Sequence, residues 1–97
     1  MRLTQKELKA IRETAKEVFK NCEVYLFGSR TDPNKRGGDI DLLVVLNYVP
    51  PEEADLEFLA KLRRKGVQRK IDLLILHPKK ELKGIYKTAL EEGIKIL

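Results

Sequence analysis

Tryptophan is absent from the 97 residues, and cysteine occurs once, as Cys22. A single thiol rules out an internal disulfide and suits a reducing, cytoplasmic compartment. Aromatic residues make up 6% of the chain, so a core must be built from aliphatic side chains. Histidine also occurs once, as His77, and no second histidine or cysteine stands near it to suggest zinc. No apolar run approaches the ~20 residues that cross a bilayer, and none of signal-peptide length follows Met1-Arg2, so no membrane partner is expected. What is abundant is charge. Charged residues reach 36%, against roughly 25% in an average soluble domain, and the net charge is +5. That balance suits anionic partners, nucleotides or nucleic acid, and equally suits plain solubility. The length fits one domain over residues 1–97, with no room for a separate substrate lobe.

Thr4-Gln5-Lys6-Glu7 has the form of a capping box. Leu8, Ile11, Ala15, Val18 and Phe19 follow at helical spacing, which predicts a helix from about Gln5 to Lys20, stopped at Asn21. Glu23 to Phe27 reads as a first strand ended by Gly28, and Asp39 to Leu46 as a second, central strand with apolar residues on both faces. Between them Asp-Pro, Asn-Lys and Gly-Gly supply turn chemistry. Pro50 and Pro51 open a second helix with a buried stripe of Leu56, Leu59, Ala60 and Leu62, closed at Gly66. Lys70 to Leu76 is a third strand. A third helix is expected from about Lys80 to Glu92 with Leu82, Ile85, Tyr86 and Ala89 inward, then an edge strand over Ile94 to Leu97. The order is α-β-β-α-β-α(-β), an α/β (α+β) chain with a small mixed sheet.

Chemistry concentrates in three acids. Asp39 and Asp41 are two residues apart in a strand, hence on one face and about 6–7 Å apart. Asp72 holds the equivalent place in the third strand, each acid leading into Leu-Leu or a like apolar run. A helical crossover favours parallel strands, which would bring the three carboxylates to one spot. Crowded carboxylates need cations, and hard oxygen donors suit Mg²⁺ or Mn²⁺, two ions in a two-metal arrangement. Upstream, Gly28 permits close approach of a phosphate, Ser29 offers a hydroxyl and an N–H, and Arg30, Lys35 and Arg36 bring positive charge.

Gly28-Ser29, the loop ending Gly38-Asp39-Ile40-Asp41-Leu42, and the later strand with Asp72 resemble the polymerase-β-like nucleotidyltransferase superfamily. The short length resembles its minimal, antitoxin-type branch. The resemblance implies transfer of a nucleoside monophosphate, AMP from ATP, to a hydroxyl. It implies Asp39, Asp41 and Asp72 as catalytic metal ligands, with Asp72 also helping to deprotonate the acceptor. Gly28 and Ser29, helped by Arg30, Lys35 and Arg36, would hold the triphosphate. It further implies a partner, a HEPN-domain toxin modified on a tyrosine, in a hetero-oligomer.

Other readings compete. A protein of this kind can neutralise its partner by binding alone, without catalysis, or bind nucleic acid. Lys61, Arg63, Arg64, Lys65, Arg69 and Lys70 put six cations into ten residues. They read either as a nucleic-acid or acidic-partner patch or as a helix end whose cations complement the dipole. Few aromatics accompany them for stacking on bases. His77 reads as a strand-end residue, Cys22 as helix-end packing, and Tyr25, Tyr48 and Tyr86 as packing.

Overall fold

A computed structural model describes residues 3–27 and 39–97. The elements run α1 (Gln5–Phe19), β1 (Glu23–Phe27), β2 (Ile40–Val45), α2 (Ala54–Arg64), β3 (Ile71–Leu76), α3 (Ile85–Glu92) and β4 (Ile94–Lys95). The four strands form one mixed sheet in the order β3-β2-β1-β4. β1 is antiparallel to both β2 and β4, whereas β2 and β3, joined through α2, are parallel. The element order expected from the pattern of apolar residues is the one observed.

Helix α1 starts where the capping box places it. The Thr4 hydroxyl accepts from the Glu7 N–H at 3.0 Å, and the Glu7 carboxylate accepts from the Thr4 N–H at 2.9 Å. It ends at Phe19, one residue short of the expected Lys20, which instead takes a positive φ of 65°. Its apolar stripe, Leu8, Ile11, Ala15 and Phe19, packs with Phe58 and Leu62 of α2 against Val24, Leu26, Ile40, Leu42 and Val44 of the sheet. The Phe19 and Phe58 rings meet at 5.5 Å with a 40° tilt, a favourable aromatic geometry. The opposite face of the sheet is covered by α3, where Ala89 packs with Leu43 and Leu76. Covered on both sides, β2 buries Ile40, Leu42, Leu43 and Val44 almost completely.

Two helix starts and one packing stripe differ from those expected. α2 begins at Ala54, because a turn closed by the Ala54 N–H on the Pro51 carbonyl (3.1 Å) comes first. Its buried residues are Ala54, Phe58 and Leu62, four apart, while Leu56 and Ala60 are exposed. The large Phe58 ring takes the interior position and sets the helix phase. α3 is shorter than its apolar pattern: Gly84, at φ 60°, separates it from residues 80–83, and Leu82 and Ile85 remain exposed. The end of α2, in contrast, is as read. Gly66 has φ +96°, its N–H donates to Arg63 and the Val67 N–H donates to Leu62, both at 3.0 Å, a complete Schellman closure.

Candidate active site

The strand register decides where the acids meet. β2 and β3 pair Ile40 with Ile71, Asp41 with Asp72 and Leu42 with Leu73. Asp41 and Asp72 are therefore direct neighbours across a parallel ladder, with backbones about 4.8 Å apart. Alternation of side chains puts both on the sheet face of Leu43 and Leu74, the face that α3 covers further along. Asp39, just ahead of β2, belongs to the same side of the chain as Asp41. Phe27, the last residue of β1, stands opposite Asp41. The place is thus the end of the sheet where β2 and β3 begin and β1 stops.

Asp41 is half-buried, and Asp39 and Asp72 are exposed. The Lys70 ammonium lies 3.9 Å from Asp72, two residues back along the same strand face. Lys70 belongs to the basic run in the sequence; its link to Asp72 was readable from the i, i+2 spacing within a strand. Three carboxylates on two adjacent strands are hard oxygen donors, the set that suits Mg²⁺ or Mn²⁺, and the residues fit such an ion in chemistry and in backbone placement. Among the described residues no group of three His, Cys, Asp or Glu side chains forms a ready-made metal cluster. The register brings the heads of β2 and β3 together, with Asp41 beside Asp72, as the crossover led one to expect. Gly28, Ser29, Arg30, Lys35 and Arg36, read as phosphate contacts, lie outside the described residues.

The basic run is largely engaged within the molecule. Lys65 pairs with Glu17 at 3.1 Å and with Glu13 at 3.9 Å, and Lys61 with Glu17 at 3.9 Å. Arg69 pairs with Glu7 at 3.2 Å, and the Arg63 guanidinium donates to the carbonyls of Val67 and Gln68. These cations hold α2 and the turn after it against the acidic side of α1. The His77 Nδ1 accepts the Lys79 N–H at 3.2 Å, which fixes it as a strand-end residue. Burial raises the pKa of the Cys22 thiol, with Lys16 pulling the other way, so it is a poor nucleophile. The Tyr48 hydroxyl donates to the Phe19 carbonyl at 2.5 Å, and burial, then Cys22, raises its pKa. No helix among the described residues is long and apolar enough to cross a membrane.

Residues 7–97 match the family described as polymerase beta, nucleotidyltransferase. The chain belongs to that family. It is a nucleotidyltransferase by this membership, and the acidic strand pair lies within the matched span. Among solved structures, it is similar to a chain of a crystal structure of a mutant of the toxin–antitoxin MntA-HpeT. The TM-score is 0.70 at 18% identity, covering 93% of this chain and 71% of that one. At such identity the likeness concerns the fold: the mixed four-stranded sheet and three helices of this nucleotidyltransferase are shared. No curated protein sequence matches it.

Proposed function

We propose that this nucleotidyltransferase moves AMP from ATP onto a hydroxyl of a partner protein, a tyrosine of a HEPN-type toxin, and so acts as its antitoxin in the cytoplasm. The observation that carries the reading is the Asp41–Asp72 register. Like charges placed directly opposite on neighbouring strands work against the fold. Such a local conflict is characteristic of functional sites. The likeness to a toxin–antitoxin structure supports the partner class. That protein was crystallised with two aspartates, two positions apart, replaced by glutamate. Asp39 and Asp41 have the same spacing.

Asp39, Asp41 and Asp72 are the residues that would hold Mg²⁺ or Mn²⁺, which when bound neutralises phosphate charge and acidifies a coordinated hydroxyl. The acceptor oxygen bonds to the α-phosphorus, the bond from that phosphorus to the β-phosphate bridging oxygen breaks, and pyrophosphate leaves. Asp72, on the edge strand and exposed, takes the proton of the acceptor hydroxyl. Gly28, Ser29, Arg30, Lys35 and Arg36 are assigned to the triphosphate.

Calorimetry of Mg²⁺-ATP binding to the wild type and to Asp39→Asn with Asp41→Asn tests the site. Binding should fall at least tenfold in the double variant while its circular dichroism is unchanged; equal binding sinks the metal-site reading. Neutralisation of the partner separates transfer from binding alone, since a purely binding antitoxin would survive both substitutions.

A further inference from the structure

The ladder that sets Asp41 beside Asp72 extends one row further toward the heads of both strands. Ile40 pairs with Ile71, and the Ile40 N–H donates to the Lys70 carbonyl at 2.9 Å. Asp39 therefore stands across from Lys70. Side chains alternate along a strand, which puts Lys70 on the face of Asp39, Asp41 and Asp72. Its neighbour Arg69 goes the other way, onto Glu7 of α1 at 3.2 Å. The Lys70 ammonium lies 3.9 Å from the Asp72 carboxylate, and the two side chains are 70% and 50% exposed. Such a pair adds little to stability. Lys70 also borders a cleft lined by Leu59, Leu62, Val67 and Ile71, an apolar setting that suits its aliphatic stem. The stem has a seat, and the charge is left beside the acids.

A fixed cation next to a metal site acts with opposite sign on two forms of the ligand. An ion bound by the Asp72 carboxylate comes within roughly 6 Å of the ammonium, since a metal–oxygen bond adds only about 2 Å to the 3.9 Å separation. At that range in water a unit charge weakens the binding of a dication about tenfold, and physiological salt cuts the effect to about threefold. The complex of the same ion with a nucleoside triphosphate carries net negative charge. Its phosphate oxygens accept hydrogen bonds from an ammonium, so the same side chain favours it. We infer that Lys70 sets the form in which this site loads its metal: as the metal–triphosphate complex in preference to the free ion. The inference rests on the transfer reading proposed above and assigns the selectivity of that site to a residue outside the three acids.

Calorimetry on the full chain at fixed ionic strength measures two affinities, for Mn²⁺ alone and for Mn²⁺-ATP. Lys70→Met keeps the stem and removes the charge. It should bind Mn²⁺ alone about threefold more tightly and Mn²⁺-ATP about threefold more weakly. Lys70→Arg keeps the charge and should hold both affinities within about twofold of the wild type. Lys9→Met removes the same charge from an exposed position on α1, across the sheet, and should change neither affinity. Should Lys70→Met fail to fold by circular dichroism, the neutral, polar Lys70→Gln carries the same two expectations. Opposed shifts are what a local charge produces and a structural disturbance does not. The inference is overturned if both affinities move in one direction, if neither moves, or if Lys9→Met reproduces the pattern. Absence of Mn²⁺-ATP binding by the wild type overturns the nucleotide site and this inference together. Normal binding by the wild type with no response to Lys70→Met overturns this inference alone.

Discussion

Asp72 is the residue where stability and function pull hardest against each other. It faces Asp41 across the ladder, and its cationic partner among the described residues, Lys70, is well exposed at 3.9 Å, a contact of little energetic weight. Removing its charge should relieve a repulsion of about 0.5 kcal/mol. In EDTA at low salt, Asp72→Asn should therefore melt about 2–4 °C above the wild type. Added Mg²⁺ should stabilise the wild type and not the variant, because an ion that binds only the folded site raises its melting temperature. A destabilised Asp72→Asn in EDTA would contradict this balance. Thr14 is a second residue with a cost of its own: it is fully buried in α1, and its hydroxyl has no hydrogen-bond partner among the described residues. Thr14→Val keeps the shape and removes the orphaned polar group, so urea unfolding should show a gain of about 1 kcal/mol.

At the scale of elements, the closures and the packing stripes separate what local chemistry decides from what it does not. The left-handed Gly66 that ends α2 is held by two backbone bonds and follows from a glycine placed after an apolar repeat. Gly66→Ala would force a side chain into that conformation, with its Cβ 3.0 Å from the Lys6 ammonium. Urea unfolding should show a loss of about 1–2 kcal/mol. The capping box at Thr4 and Glu7 was legible for the same reason: its partners are three residues apart. The stripe of α2 was not, because Leu56 and Leu59 fit a helical period as well as Phe58 does. The choice was made by the Phe19 ring, which arrives from a distant helix. α3 was overextended because Leu82 and Ile85 look like core residues in sequence and are exposed in the fold. In the site, Asp39, Asp41 and Asp72 could be found from their position at the heads of apolar strands. The in-register pairing of Asp41 with Asp72 followed from the crossover, whereas spacing says nothing about side-chain rotamers.

Taken whole, the molecule spends most of its cationic run on itself. Glu7, Glu13 and Glu17 of α1 meet Arg69, Lys65 and Lys61, so much of the run joins α1 to α2 and the turn that follows. A duplex DNA gel shift at about 150 mM salt should accordingly show no retardation at micromolar protein; retardation that falls steeply with salt would reinstate the nucleic-acid reading. The parallel pairing of β2 with β3 has a consequence in time as well as in space. Two of the three acids, Asp39 and Asp41, are separated from the third by the whole of α2, so the centre closes a long loop and depends on a late, non-local step of folding. A chain still being synthesised cannot possess the centre until residues 71–76 have emerged and docked. Transfer at the proposed centre would thus wait on the docking of β3, whatever the state of β2.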